Sequence, residues 1–319
     1  STLHNLFLET EIQDSQLRMI FACTHPAITE ESQIALILKT LCGLTNAEIA
    51  EAFLTNEETI GKRIYRAKEK IKAERIDLRV PQGTELRHRL EVVLKTLYVL
   101  FSEGYHSASR DRLIREDLCE DSMRLVFLLT QHPATGVAET NALLALMCFQ
   151  SSRLGARLDD HGNIILLKHQ DRSKWYRPLI DQGFIFLEAA TAGETVSPYH
   201  LEATIASLHA AAQSFETTPW PSIYGLYSAL YRLKPEPVIA LNKAIASAYA
   251  TSRRHALEEL LAIRELDQYY IYHASVAEIY FELGELPDAR HHYQQAFTLT
   301  QSPAERDLLL MKIEACSRG

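Results

Sequence analysis

Thr45-Asn46-Ala47-Glu48-Ile49-Ala50-Glu51-Ala52-Phe53-Leu54-Thr55-Asn56-Glu57-Glu58-Thr59-Ile60-Gly61-Lys62-Arg63-Ile64-Tyr65-Arg66-Ala67-Lys68-Glu69-Lys70-Ile71 is the stretch on which the reading of this chain turns. It holds two helix starts, Thr45 and Thr55, ten residues apart. Thr45 with Glu48, and Thr55 with Glu58, both carry a hydroxyl at the N-cap and a carboxylate at N3, the capping-box pattern. Between them a short helix has Ile49, Ala50 and Phe53 on its apolar side. The second helix carries Ile60, Ile64, Ala67 and Ile71 on one stripe at helical spacing. Lys62, Arg63, Arg66 and Lys70 lie off that stripe.

Two helices joined by a tight turn, the second basic, predict a helix-turn-helix. Its second helix suits the major groove, with its first residues at base edges and its cations on phosphates. The charge distribution agrees. Lys62 to Arg75 holds seven basic and two acidic residues, a local charge of +5, within a chain of net charge -8, which leaves -13 for everything else. The competing reading is a solvated charged face on an ordinary helical hairpin. The double capping, the short spacing and the concentration of charge weigh against it.

Working outward, residues 1–14 read as a linker or tail. A helix is expected over Gln16 to Cys23, then a break at His25-Pro26, then a helix from Thr29 or Glu30 with Ile34, Leu38 and Leu41 on one face. Gly43 suits the left-handed position that ends it. Val80-Pro81-Gln82-Gly83 is the clearest interruption, and the expected organisation is 15–79 as the helix-turn-helix, 80–84 as a linker and 85–319 as a helical extension. Leu86 to Phe101, Asp111 to Gln131, Gly136 to Leu154 and Tyr176 to Ala192 all have helical periodicity. A short β-hairpin is expected at Ala156 to Gln170, where the turn cluster Asp160-His161-Gly162-Asn163 precedes Ile164-Ile165-Leu166-Leu167. The expected fold class is all-α, with that hairpin as the exception.

The last third repeats. Ala244 and Ala277 are 33 positions apart, as are Ala256 and Ala289. Tyr280, Gly284, Ala289, Tyr293 and Ala296 follow the roughly 34-residue tetratricopeptide pattern, in which small residues let paired helices approach and aromatics fill gaps. The copy at Ala240 to Ile263 keeps the small residues and loses the aromatics. Tyr269-Tyr270-Ile271-Tyr272 and Trp220 are read first as packing between repeats and second as lining for a concave peptide groove.

Composition excludes other classes. Of 319 residues, 47% are apolar, 23% charged, 12 Gly and 11 Pro, so neither wholesale disorder nor a collagen-like chain is compatible. No apolar run reaches the length of a membrane span, and the N-terminal residues lack a signal-peptide pattern. Five separated cysteines without a C-x-x-C pair read as reduced thiols of a cytoplasmic protein. No H-E-x-x-H motif, zinc spacing, phosphate loop or G-x-S-x-G is present, so no catalytic residue, metal or cofactor is expected. Asp159-Asp160-His161 is read as a turn, not a metal site. His291-His292 are expected on the surface. In Glu103-Gly104-Tyr105-His106, close to Ser107 and Ser109, Gly104 is expected to end a helix.

Leu44 to Phe53 followed by Glu58 to Ile71 resembles region 4 of bacterial extracytoplasmic-function sigma factors. Phe21-Ala22-Cys23-Thr24-His25-Pro26-Ala27, Arg79-Val80-Pro81, Glu103-Gly104-Tyr105 and Asp171-Arg172-Ser173-Lys174-Trp175 resemble the subgroup with a long tetratricopeptide-like C-terminal extension. The resemblance implies a transcription initiation factor without enzymatic activity. It implies promoter -35 contacts at Thr59, Lys62, Arg63 and Arg66, with Lys70 along the phosphates. It also implies docking on the β flap of core RNA polymerase, with Ile34 to Leu41 contributing, and a protein or signal partner for the extension. Such factors carry a region 2 ahead of region 4; on this reading the chain is region 4 plus extension and does not start transcription by itself. The alternative is a tetratricopeptide-like scaffold whose N-terminal hairpin binds no DNA.

Overall fold

The long periodic stretches are α-helices in the computed structural model, which describes residues 14–107 and 113–318. The helices of the N-terminal half are α1 (Ser15–Cys23), α2 (Glu30–Thr40), α3 (Asn46–Ala52), α4 (Glu57–Ala73), α5 (Thr84–Tyr105), α6 (Glu116–Gln131) and α7 (Ala138–Ser151). After a segment of short 3-10 turns come α8 (Arg177–Ala190), α9 (Pro198–Ala211), α10 (Trp220–Leu233), α11 (Pro237–Ala250), α12 (Arg253–Leu261), α13 (Tyr270–Glu282), α14 (Leu286–Leu299) and α15 (Pro303–Arg318). The described residues contain no sheet, and the fold is all-α. Residues 1–13, within the expected tail, lie outside the described residues. Asp14 is no tail residue: its carboxylate caps α1, accepting from the backbone N–H of Gln16 and Leu17 at 3.0 Å each, and it pairs with Arg124 at 2.8 Å.

The chain forms two compact units. The first comprises the described residues through Ser151 with Ile185–Glu194; the second comprises Ser152–Phe184 and the residues from Thr195 onward. The expected boundary at 80–84 is therefore a joint inside the first unit. Pro81 is buried there, and α5 beyond it packs on α1, α2 and α3. The core formed by Ile34, Leu38, Ile49, Ile60 and Ile64 takes in Leu100 from α5 and Leu118 from α6. A segment of the size of 15–79 has too little interior of its own to be more than marginally stable, so the helices after the joint complete it.

At Ala156 to Gln170 the expected hairpin is reduced to a single antiparallel bridge, Leu158 to Ile164, flanked by 3-10 turns at Leu154–Ala156 and Leu167–His169. The turn itself is as expected. The Asp159 carboxylate accepts from the N–H of His161 (2.9 Å) and Asn163 (2.8 Å) and from the Asn163 amide (2.8 Å), and Gly162 takes φ 83°. These bonds, the Asn163 side chain first, hold Asp159 below the usual carboxylate range. Strands do not extend because the residues after Ile164 turn back into a 3-10 segment, so no ladder continues.

In the second unit, α9 to α15 each pack on the next in sequence. The helix starts Pro237 and Tyr270 are 33 positions apart, as are Arg253 and Leu286. Ala244, Ala256, Ala277 and Ala289 are all fully buried, which is where a small side chain lets two helix backbones approach. Tyr272 is buried in the core of the first hairpin, and Trp220 packs against Phe215 and Tyr249. Both are packing residues.

Candidate nucleic-acid interface

The short helix α3 is fixed at its start by the reciprocal capping box. The Glu48 N–H donates to Thr45 Oγ1 at 3.2 Å, and the Thr45 N–H donates to Glu48 Oε2. The second carboxylate oxygen accepts from the Arg115 guanidinium at 3.0 Å. One nearly buried carboxylate thus caps α3 and ties it to the segment leading into α6. At α4 the cap differs from expectation: it is Asn56, not Thr55, whose side-chain oxygen accepts from the Thr59 N–H at 2.8 Å. The Thr55 N–H is already committed to Ala50 O at 2.9 Å, and Leu54, at φ 47°, turns the chain so that the helix opens one residue later.

Helix α4 buries Ile60, Ile64 and Ala67, with Ile71 half-buried. Shifted along by one residue, about 100° around the axis, lies the stripe Thr59, Arg63, Arg66 and Lys70. Lys62 stands on the next stripe outward. All five residues expected to meet DNA therefore share one flank of α4, beside the buried stripe. Their states differ. Arg66 is exposed and, among the described residues, enters no ion pair. Lys62 pairs with Glu58 at 2.6 Å, but the side chains are 62% and 76% exposed. Such a pair contributes about 0.3–0.5 kcal/mol and yields readily to a phosphate. Lys70 lies 3.8 Å from Glu74, also in solvent. Arg63 is half-buried, its guanidinium 5.6 Å from the Phe53 ring centroid, with one terminal nitrogen buried and unbonded. Thr59 is half-buried.

Tyr65 is the residue that motif reading passed over. It is 65% exposed, next to Arg66. Its signal in the sequence was a large aromatic at a position where the stripe arithmetic demands solvent. Conversely, Ile34, Leu36, Ile37 and Leu38 are all buried core residues, so the apolar run of α2 offers no docking face. A helix flanked by α1, α3, α4 and α5 has no free apolar side. The exposed apolar side chains of this region are Met19, Leu54, Tyr65 and Leu78.

The other sites singled out resolve into structure. Gly104 lies within the last turn of α5 and does not end it. A Cβ there would stand 2.8 Å from Cys119 N and 2.9 Å from Arg115 O, so the glycine permits close approach of α6. The Ser107 hydroxyl donates to the buried Glu103 at 2.7 Å; Ser109 lies outside the described residues. His291 is exposed, whereas His292 is half-buried against His273 and Tyr280, with centroids 5.4 and 5.7 Å away, and burial pushes it down to about 4. Among the described residues, no three His, Cys, Asp or Glu side chains group as metal ligands, and no helix is long and apolar enough to cross a membrane.

Sigma-70, region 4, matches residues 18–71, and a family of unknown function, DUF6596, matches residues 89–191. The two matches part around the 80–84 joint. An uncharacterized protein of Rhizobium meliloti (strain 1021) is 36% identical over 308 residues, covering 95% of this chain and 71% of that protein. No solved structure matches the chain. The region 4 match carries a sigma-factor-like DNA-binding role, with promoter DNA and RNA polymerase as general partners, and points to a transcription factor family and not to an enzyme. With the basic flank of α4 facing solvent, the chain carries a Sigma-70 region 4 domain at residues 18–71 followed by a DUF6596 domain, and it fits an extracytoplasmic-function-like sigma factor with a helical extension.

Proposed function

We propose that α4 reads the promoter -35 element in the bacterial cytoplasm while region 4 docks on the β flap of core RNA polymerase, and that the tetratricopeptide-like hairpins of the extension regulate this through a protein or signal partner. The observation that carries the reading is the flank Thr59, Arg63, Arg66 and Lys70, set one residue around from the buried stripe. That register turns cations outward at the spacing of one groove-facing side. Lys62 borders it, and Tyr65 stands beyond Lys62 on the exposed side of the helix. Arg66 and Lys70 contribute phosphate contacts, Arg63 is pre-placed by Phe53, and Tyr65 offers an apolar surface to a thymine methyl group. The acidic remainder of the chain opposes nonspecific DNA binding, so affinity of the isolated chain is weak and strongly salt-dependent.

The test is promoter-dependent transcription by the full-length factor. Arg66→Ala and Arg63→Ala are each expected to lower it. Normal output from both variants overturns the assigned face. For regulation, a cut after Val80 would strip Leu100 and Leu118 from the region 4 core and so test folding. Ala289→Trp in the full-length factor, which loosens a hairpin of the other unit, is the better probe: unchanged output and unchanged response to inducing conditions overturn a regulatory extension.

A further inference from the structure

We propose that the second compact unit holds a binding site for a small oxyanion, a carboxylate or phosphate group, between Arg153 and Arg172 beside Trp175. The inference stands whether or not α4 reads the -35 element.

The two guanidinium groups share one indole. Arg172 lies 4.9 Å and Arg153 5.1 Å from the Trp175 ring centroid. They are close enough that, after burial, the Arg153 charge is the next influence lowering the proton affinity of Arg172. Among the described residues neither arginine forms an ion pair. Arg153 directs its fork at the neutral Gln170 amide oxygen, at 3.3 and 3.2 Å. Arg172 spends its terminal nitrogens on the carbonyls of His209 and Ala212 at the C-terminal end of α9, and on Thr218 Oγ1 at 3.0 Å. Of the carboxylates in this neighbourhood, Glu216 is exposed, is held by Ser214 and acts on Arg172 only through its field, and Glu202 acts, as Arg153 does, on Tyr227. Two like charges thus lie against one buried indole, and among the described residues neither has an ion-pair partner. The helix C-terminus explains the placement of Arg172. It explains nothing about Arg153.

Around these cations three buried polar atoms have no hydrogen-bond partner: Arg172 Nε, Trp175 Nε1 and His209 Nδ1. Arg172 stacks on Trp175 and donates to the backbone carbonyl of His209, which brings these residues into one neighbourhood. Trp175 is only 5% exposed, so its N–H has no route to bulk water. A buried donor left unpaired is costly, and native interiors seldom leave such groups unsatisfied. A water molecule could bond some of these atoms but would leave the two arginines unneutralised. An oxyanion accepts from the indole and guanidinium N–H groups and screens the arginines from each other. Burial, then Arg153 and Arg172, push His209 down to about 3, so its neutral ring can present Nδ1–H as a further donor.

The chain carries its own reporter. Its two tryptophans are Trp175 and Trp220, and the Trp220 ring lies 5.3 Å from His209. Both indoles therefore report on this one neighbourhood. The whole chain is titrated at constant ionic strength with inorganic phosphate, acetate or succinate, against sodium chloride, while tryptophan emission and the thermal midpoint are read. Phosphate, or one of the two carboxylates, is expected to shift the emission and raise the midpoint where chloride does neither; the active arm identifies the group. Arg153→Gln, which leaves the α9 cap intact, is expected to weaken that response by roughly tenfold or more. Arg153→Lys, which keeps the charge and loses the fork, should fall between. If phosphate, acetate and succinate act no differently from chloride, the space holds water only and the proposal is overturned. A folded Arg153→Gln protein that responds like the parent overturns it equally.

Discussion

Helices α4 and α14 bury the same pattern. Ile60, Ile64 and Ala67 repeat the spacing of Ala289, Tyr293 and Ala296, and all six are buried. Their surroundings differ. Helix α14 is enclosed by α13 on one side and α15 on the other, and the Tyr293 hydroxyl donates to Glu278 at 2.6 Å. Helix α4 is held from its apolar side, by α2 and α3, and leaves its basic flank in solvent. An identical buried stripe therefore says how a helix is held and not what it is for. The faces left over decide that: one helix braces its neighbours, the other presents cations.

The largest effect expected from breaking this comparison is at Tyr293. Tyr293→Ala removes a fully enclosed ring and the Glu278 bond, and should cost about 3–5 kcal/mol in denaturant unfolding. A loss below about 1 kcal/mol would mean that α14 is not held by its stripe. Next comes the brace of the reader domain. Glu48→Ala removes the carboxylate half of the α3 cap and leaves the Arg115 guanidinium without this partner, for an expected loss of about 2 kcal/mol. Thr45→Ala, which removes only the hydroxyl half of the cap, should cost about 1 kcal/mol. Equal losses for the two would show that the Arg115 contact adds nothing.

On the exposed flank the expectation reverses. Arg66→Ala should change folding stability by no more than about 0.5 kcal/mol. Promoter affinity should nonetheless fall, either by about 1–3 kcal/mol with relaxed specificity at one position or with a salt slope flatter by about one. Arg63→Ala should move both readouts, because Arg63 also packs on Phe53. If the two variants are indistinguishable in stability, that stacking carries no weight.

A further expected effect is a pH dependence confined to the second unit. Burial raises Glu278, but hydrogen bonds from Lys168, Lys312 and Tyr293 outweigh it and hold the carboxyl at about 2, below the ordinary glutamate value of 4.5. A depressed carboxylate contributes stability that is present above its unfolded value and lost as pH falls through the folded one. Acid unfolding of the parent should therefore steepen between pH 4.5 and about 2. Glu278→Gln should flatten that part of the profile, and an unaltered profile would show that the network is not what acid dissolves.

Much of this was legible in the sequence because it is local. Helix positions follow from apolar residues at i, i+4 and i+7, and the basic flank of α4 follows from counting residues around one helix. The Thr45–Glu48 cap is three residues long and was readable as such. The 33-residue register of the alanines also survived translation into buried positions. What the sequence left open depends on residues far apart in the chain. Asn56 displaced Thr55 as the cap because the turn at Leu54, closed by the Thr55 N–H on Ala50 O, opens the helix one residue later. Pro81 became a joint inside one core because Leu100 and Leu118 complete the packing of Ile60 and Ile64. Gly104 proved to be a place where α6 comes close, and Arg153 and Arg172 proved to share Trp175. Periodicity and capping arise from hydrogen bonds within a few residues, which a sequence displays directly. Burial, neutralisation and close approach arise from groups tens of residues apart, and only the tertiary structure brings those together.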